Sequence, residues 1–143
     1  MIRKASVKDL PAILALYRAA LADEECLTER EARALFARMR RYPSYGVYVF
    51  IRRRRVVGTF ALLVMDNLGH RGAPSGIVED VAVAPEMQGR GIGREMMAFA
   101  LERCRRAGCY KLALSSNSRR VKAHAFYESL GFKRHGYSFL VEP

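Results

Sequence analysis

The chain has 143 residues, of which 50% are hydrophobic and 27% are charged. This balance is that of a folded globular protein and excludes a disordered one, and the length fits a single domain over residues 1–143. The formal net charge of +11 predicts attraction to anions, so a nucleic acid, an anionic membrane, a polyanionic small molecule and a merely solvated basic surface all stay open at this point.

The sequence indicates neither a membrane anchor nor a framework of disulfides or zinc. No apolar run reaches the ~18 residues that a membrane helix needs, and the N-terminus has no apolar stretch resembling a signal peptide. The three cysteines, Cys26, Cys104 and Cys109, are odd in number and form no C-x-x-C pair. We therefore expect a cytoplasmic protein that binds no metal and no membrane.

Apolar periodicity and capping signals predict a succession of strands and helices. Ser6 with Asp9, and Thr28 with Glu31, have the spacing at which a side chain caps the first turn of a helix. In chain order, the predicted elements are a strand at 2–5, helices that begin at Ser6 and at Thr28, strands at 45–52 and 56–65 joined by an arginine turn at 53–55, a loop at 69–76, a strand at 77–84, a helix at 91–107, a strand at 111–116, a helix at 121–130 and a strand at 137–141.

The segment from Ile77 to Ser116 contains a strand, a helix and a second strand. Such a unit places its two strands parallel through a right-handed crossover, whereas the short arginine turn predicts an antiparallel hairpin. We therefore predict an α/β (α+β) fold with one mixed, mostly antiparallel sheet, one parallel β-α-β unit and helices on both faces.

A glycine-rich turn, Gln88-Gly89-Arg90-Gly91-Ile92-Gly93-Arg94, lies between a predicted strand and the longest predicted helix. Glycines let a ligand approach the backbone closely, and the free N–H groups of a helix start favour an anion such as a phosphate or pyrophosphate. Arg94 stands where the dinucleotide fingerprint needs glycine, and no G-K-[ST] ending follows, so neither that fingerprint nor a P-loop is present. A plain glycine-rich loop is the alternative.

Two segments together resemble the GNAT N-acetyltransferase superfamily. They are Gln88-x-x-Gly91-x-Gly93 after the strand Val81-Ala82-Val83, and Ala123-x-x-Phe126-Tyr127-Glu128-x-x-Gly131-Phe132. The resemblance implies that acetyl-CoA is the co-substrate, with its pantetheine on the strand backbone and its pyrophosphate on the N–H groups of the turn. The cofactor-binding residues that it implies are Val81, Ala82, Val83, Gln88, Gly89, Arg90, Gly91, Ile92, Gly93, Arg94, Ala123 and Phe126.

One position departs from the pattern of the family. Many members of the superfamily carry an asparagine seven residues before the tyrosine, where it contacts CoA. In this sequence that position is Arg120, and Asn117 lies three residues earlier. The resemblance therefore implies a CoA contact from Asn117 or Arg120 and leaves the choice between them open.

Glu79 and Asp80 interrupt an otherwise apolar strand, where acidic residues are uncommon. Adjacent residues of a regular strand point to opposite faces, so only one of the two carboxylates could face a given cleft. An amine arrives as an ammonium ion, and a carboxylate in a low-dielectric cleft can take its proton; ion-paired or edge-exposed carboxylates are the alternative. The run from Glu79 to Val83 is similar to one in glucosamine-6-phosphate N-acetyltransferases, which favours Glu79 as the base.

Tyr127 is the candidate acid for the leaving thiolate of CoA. A phenol with a pKa near ~10 can donate that proton, although a tyrosine beside Phe126 on a helix can equally be a packing residue. The Phe126-Tyr127 match to the superfamily favours the acid. The resemblance also implies that the backbone N–H of Val81 stabilises the oxyanion of the reaction intermediate.

The acceptor is the part of the reaction on which the sequence says least. The segment Ser115-Ser116-Asn117-x-x-Arg120-x-x-Ala123-His124 resembles aminoalkylphosphonate N-acetyltransferases, which like the hexosamine-phosphate enzymes acetylate small anionic amines. Arg119, Arg120 or Lys122 could hold a phosphate or phosphonate, although the phosphates of CoA could equally account for that charge. His124 and His135 suit ordinary hydrogen bonding; a part in substrate or metal binding stays open, but their spacing does not indicate a metal site.

Scattered basic residues predict no nucleic-acid partner, so we expect an acetyl-CoA-dependent N-acetyltransferase with a small-molecule amine acceptor. A protein N-terminus or lysine as the acceptor, a non-catalytic acyl-CoA-binding protein and a homodimer stay open.

Overall fold

The computed structural model describes residues 1–21 and 25–143, and it contains five strands and four α-helices in the described part. Internal contacts divide the chain into two compact units, Met1–Ala113 and Leu114–Pro143. In chain order, the elements are β1 (Ile2–Lys4), α1 (Leu10–Ala20), α2 (Glu29–Met39), β2 (Tyr45–Arg52), β3 (Arg55–Met65), β4 (Ser75–Val83), α3 (Ile92–Arg106), β5 (Lys111–Ala113) and α4 (Val121–Ser129).

The first unit contains a sheet with the strand order β1-β2-β3-β4-β5. Every neighbouring pair is antiparallel except β4 and β5, which run parallel and are joined through α3. This topology confirms the predicted mixed, mostly antiparallel sheet with one parallel β-α-β unit. The predicted arginine turn joins β2 to β3, but it is one residue shorter than predicted, because Arg55 pairs with Arg52 and begins β3.

Alternation along the central strands places a different helix layer on each face of the sheet. On one face, Val49 and Ala61 are buried in a cluster with residues of α1 and α2 such as Phe36. On the other face, the rings of Tyr48 and Phe60 pack against Phe99 of α3, with ring centroids 5.3 Å and 6.3 Å from it. Helices therefore cover both faces, as predicted.

Side chains cap the first helical turns where the sequence predicts them. Thr28 and Glu31 form a reciprocal capping box at the start of α2. Before α1, Asp9 accepts hydrogen bonds from the backbone N–H of Ser6 at 2.7 Å and from both terminal nitrogens of Arg3 at 2.7 and 2.8 Å. The bonds from Arg3 above all, and those from Ser6, lower the pKa of the buried Asp9 carboxyl from 3.8 to about 2.

The predicted strand over 137–141 is wrong. The structure has no strand there, and the side chains of Tyr137, Phe139, Leu140 and Val141 are 86–92% exposed. Their alternation suits a strand, but a strand forms only where a neighbour pairs with its backbone. The predicted strand over 111–116 is also shorter in the structure, since β5 ends at Ala113.

The predicted loop over 69–76 is wrong in its last two residues, which begin β4. Gly76 therefore lies in a strand and not in a turn. A Cβ added there would collide with the Sγ of Cys104 on α3. The glycine instead allows α3 to approach β4 closely.

We expect the Asp9→Asn variant to lose about 1–2 kcal/mol of unfolding free energy at pH 7, because it removes charged hydrogen bonds at a buried position. The folded-state pKa of Asp9 is lowered, so the stabilisation is present above about pH 4 and is lost as the pH falls towards 2. Urea denaturation between pH 2 and 7 measures both effects.

The control for Asp9→Asn is Glu29→Gln, which removes the exposed Glu29–Arg33 pair and should cost less than ~0.5 kcal/mol. An Asp9→Asn protein whose stability has the same pH dependence as the wild type would contradict this account.

Candidate functional site

The glycine-rich turn forms an open cradle at the start of α3. Gly89 and Gly91 have φ angles of +72° and +79°, a left-handed conformation that other residues rarely adopt. Gly91 is the N-cap, and the first helical hydrogen bond runs from the N–H of Glu95 to its carbonyl. The N–H groups of the preceding first-turn residues therefore lack helical acceptors. A Cβ on either glycine would meet no atom within 4 Å, so the cradle has room for a ligand.

Gln88 holds this turn to the end of β4. Its side-chain Nε2 donates to the carbonyl of Val83 at 3.2 Å, and its backbone N–H donates to the carbonyl of Pro85 at 3.3 Å. Both bonds join Gln88 to residues at or just after the end of β4. In this structure the side chain of Gln88 therefore supports the turn.

The outer edge of β4 is uncovered beside this turn within the first unit. The pairing of β4 with β5 ends at Ile77, and β4 continues to Val83. Ala84 donates its N–H to the carbonyl of Val57 on β3, so the neighbouring Val83, and Val81 two residues before it, direct their backbone groups away from β3. The hydrogen bond from Gln88 to the carbonyl of Val83 agrees with this orientation. Ala82 between them is buried.

A one-residue bulge in β4 changes how Glu79 and Asp80 are presented. Thr59 pairs with Ala82, but Ala61 pairs with Glu79, so β4 has one extra residue opposite β3. Asp80 has a φ angle of +52° within the bulge. Regular alternation stops at this bulge, so the argument that only one of the two carboxylates can face a given cleft loses its premise here, and both residues are exposed. The aspartate is the sequence signal of this bulge, since Asp tolerates a left-handed backbone conformation better than most residues.

Glu79 has an electrostatic environment that suits a base. Partial burial raises the pKa of its carboxyl, and the neighbouring charge of Asp80 raises it further. The phenol of Tyr45 on β2 has a raised pKa. Burial is the main cause, and the charges of Asp80 and Glu79 raise it further because the phenol lies near both carboxylates. The ring of Tyr42 lies 6.2 Å from that of Tyr45. The sequence did not indicate that these tyrosines lie near Glu79 and Asp80, because the pairing of strands in the sheet is what brings the start of β2 close to β4.

Tyr127 lies on α4 in the second unit. Its ring contacts those of Phe126 and Phe132 at centroid distances of 5.2 and 5.7 Å. Burial raises the pKa of the phenol, and the positive charge of Arg120 partly opposes that rise. The phenol is therefore protonated at neutral pH, as a general acid must be.

The residues before α4 are held together by local hydrogen bonds. The side-chain oxygen of Asn117 accepts from the N–H of Arg119 at 2.9 Å, and its backbone carbonyl accepts from the N–H of Arg120 at 3.0 Å. That same carbonyl lies 2.8 Å from Nε2 of His124. Arg120 is the N-cap of α4 and is exposed, whereas Ala123 is half-buried.

The candidate residues thus fall in both units. Glu79, the Val81–Val83 segment and the turn from Gln88 to Arg94 belong to the first, and Asn117, Arg120, Ala123, Phe126 and Tyr127 belong to the second. Within residues 1–21 and 25–143, no group of three or more His, Cys, Asp or Glu side chains is arranged to hold a metal ion. In the same ranges, no helix combines the length and apolar character needed to cross a membrane.

Comparison with known proteins identifies the class. Residues 11–132 match the family model described as the acetyltransferase (GNAT) family, and the chain belongs to this family. The protein is therefore an acyltransferase of the N-acetyltransferase type.

Particular relatives are similar over most of the chain. The chain is 36% identical to glucosamine 6-phosphate N-acetyltransferase of Trypanosoma brucei brucei over 71% of its length and 69% of the relative. It is 31% identical to aminoalkylphosphonate N-acetyltransferase of Salmonella typhimurium over 96% of its length and 88% of the relative. Among solved structures, an acetyltransferase of Trypanosoma brucei superposes with a TM-score of 0.86 at 31% identity, covering 100% of this chain and 99% of the other.

Proposed function

We propose that this protein transfers the acetyl group of acetyl-CoA to the primary amine of a small metabolite that bears a phosphate or phosphonate, by direct attack in a ternary complex. The observation that carries the proposal is the open cradle of left-handed glycines at the start of α3, next to an uncovered strand edge. A helix start favours a phosphate, and a free strand edge can bond the amide groups of an extended chain.

The residues of the first unit fit the two ends of this co-substrate. The N–H groups from Gly89 to Arg94 would hold the pyrophosphate, and the backbone of Val81 and Val83 would bond the pantetheine amides. Arg90 and Arg94 add positive charge on either side of the cradle, and Ile92 anchors the helix start because its side chain is 1% exposed. Gly93 lies in the first turn of α3 and has no Cβ that could obstruct a phosphate there.

Acetyl-CoA supplies the activated thioester carbonyl. In the proposed reaction, Glu79 takes a proton from the acceptor ammonium, and the free amine attacks the carbonyl carbon to form the C–N bond. The N–H of Val81 stabilises the resulting oxyanion. As the C–S bond breaks, Tyr127 donates its phenolic proton to the leaving sulfur, and the attacking nitrogen gives up its second proton to the resulting phenolate, which leaves a neutral amide and restores the phenol. The raised pKa of Glu79 makes it a stronger base for the first transfer, and the raised pKa of Tyr127 keeps the phenol protonated until the sulfur leaves.

The anionic acceptor is supported by charge and by the relatives. The net charge of +11 attracts anions, and Arg119, Arg120 and Lys122 are exposed in the second unit. Two relatives that align over most of the chain are a glucosamine 6-phosphate N-acetyltransferase and an aminoalkylphosphonate N-acetyltransferase.

An acceptor screen that reads released thiol tests the proposed substrate class. We expect glucosamine 6-phosphate or 2-aminoethylphosphonate to react about 10-fold faster or more than glucosamine or ethylamine, because a phosphate group adds charged hydrogen bonds. Equal rates within each matched pair would contradict an anionic acceptor. Thiol release with peptide amines alone would instead identify a protein acetyltransferase.

We expect the Gly91→Glu variant to lose acetyl-CoA binding, measured by calorimetry, because a carboxylate would occupy the proposed pyrophosphate site. The matched control is Gly108→Glu at the other end of α3, where the glycine has a similar φ angle of +75° and open space. Both variants carry the same backbone strain and the same added charge. A folded Gly91→Glu protein with wild-type affinity would rule out the cradle as the cofactor site.

Glu79→Gln and Tyr127→Phe should each lower turnover by roughly 10²-fold or more while acetyl-CoA affinity stays near the wild-type value. Glu79 must be deprotonated to act, so its loss should remove the acidic limb of the rate profile. Tyr127 must be protonated, so its loss should remove the alkaline limb. Steady-state kinetics across the pH range measure both effects.

The control for these variants is Asp80→Asn. It should keep the plateau rate but move the acidic limb to lower pH, because the charge of Asp80 raises the pKa of Glu79. A normal rate and pH profile in a folded Glu79→Gln or Tyr127→Phe enzyme would eliminate that residue from the chemistry.

A further inference from the structure

A small pocket lies between the β2–β3 hairpin and the segment that follows β4, entirely within the first unit. Its volume is about 180 Å³. This is smaller than the roughly 300 Å³ at which pockets for whole small molecules begin, so it suits a single chemical group. The pocket is lined by Arg52, Arg53, Arg55, Val57, Glu86, Met87 and Arg90.

Positive charge dominates this arginine pocket. Four arginines and one glutamate are among its lining residues, and the carboxylate of Glu86 lies 3.8 Å from the guanidinium of Arg55. The other three arginines make no ion pair with any residue in the described ranges 1–21 and 25–143. Like charges held close together repel and destabilise the folded state. A bound anion would relieve that repulsion.

Backbone strain in the hairpin turn destabilises the folded state as well. Arg53 and Arg54 have φ angles of +48° and +65°, the conformation of a two-residue turn that Asn-Gly normally occupies. A side chain with a Cβ is strained in this conformation. Stability alone therefore favours other residues at both positions. Strain and repulsion at one place are typical of a binding site that is stabilised when its ligand is present.

Arg90 connects this pocket to the glycine cradle. It stands between Gly89 and Gly91 in the sequence, and it is one of the residues that line the arginine pocket. A ligand whose pyrophosphate sits in the cradle therefore has a second cationic site beside it. Acetyl-CoA carries, besides its pyrophosphate, a phosphate monoester on the ribose 3′-oxygen. This group has a charge of about −2 and three oxygens that accept hydrogen bonds from guanidinium forks.

We propose that the arginine pocket binds the 3′-phosphate of acetyl-CoA and so makes the enzyme selective for CoA over 3′-dephospho-CoA. The proposal rests on the proposed function, because it requires the pyrophosphate to occupy the cradle. Arg53 and Arg55 from the hairpin supply the contacts that distinguish the two molecules, while Arg90 serves both phosphate sites. Glu86 holds Arg55 at the pocket.

Calorimetry with CoA and 3′-dephospho-CoA tests the proposal on the wild type and on an Arg53→Asn/Arg55→Gln double variant. The wild type should prefer CoA by about 10-fold or more, and the double variant should lose most of that preference with its affinity for 3′-dephospho-CoA unchanged. Asparagine suits the left-handed backbone at position 53, so Arg53→Asn alone serves if the double variant fails to fold.

The matched control is Arg54→Asn, which removes the same charge from the same turn at a residue that does not line the pocket. This variant should keep the full preference for CoA. Equal loss in Arg54→Asn and Arg53→Asn would show a general charge effect and overturn the proposal.

The two proposals fail in different ways. A wild type that binds CoA and 3′-dephospho-CoA equally well, or a double variant that keeps the preference, overturns the arginine pocket and leaves the acetyl-CoA site intact. A wild type that binds neither molecule overturns both. Thermal stabilisation by inorganic phosphate that depends on Arg53 and Arg55, without any preference for CoA, would assign the pocket to free anions instead.

Discussion

Close packing of α3 against the sheet fixes where the candidate site can form. Gly76 on β4 and Gly58 on β3 both lie under this helix, and a Cβ at Gly58 would stand only 3.0 Å from the Sδ of Met96. Without side chains at these positions, the helix lies directly on the two strands. Its start is thereby held beside the end of β4, where the glycine cradle and the uncovered strand edge are adjacent.

The bulge at Asp80 determines the electrostatics of the same strand. It inserts one residue opposite β3 at the position of two neighbouring carboxylates, Glu79 and Asp80, and it interrupts the regular alternation of the strand there. Burial is the main cause of the raised pKa values of Glu79 and Tyr45, and the nearby negative charges, which favour the protonated forms, raise both further. A strand with this local charge can accept a proton from a cationic amine more readily than an isolated, fully solvated carboxylate.

Positive and negative charge are thus separated along β4 and the segment that follows it. The carboxylates lie in the middle of the strand, and the arginines lie beyond its end, around the cradle and the β2–β3 hairpin. A polyanionic co-substrate with a neutral, extended arm suits this order, because its charged end is drawn to the arginines and its arm follows the strand edge. The fold is the one expected of the GNAT family to which the chain belongs, and the distribution of charge on it follows from the carboxylates and arginines at these positions.

Local chemistry made part of this protein predictable from its sequence. The capping boxes, the arginine turn and the left-handed glycines before α3 depend on residues a few positions apart, so the sequence by itself determined them, and with them the family and the proposed cradle. Only the tertiary structure decided the bulge at Asp80, the place of Gly76 inside β4, the absence of a strand at 137–141 and the meeting of Arg90 with the hairpin arginines. The reason is that strand pairing, register and helix approach depend on partners far away in the sequence, which periodicity along one segment cannot specify.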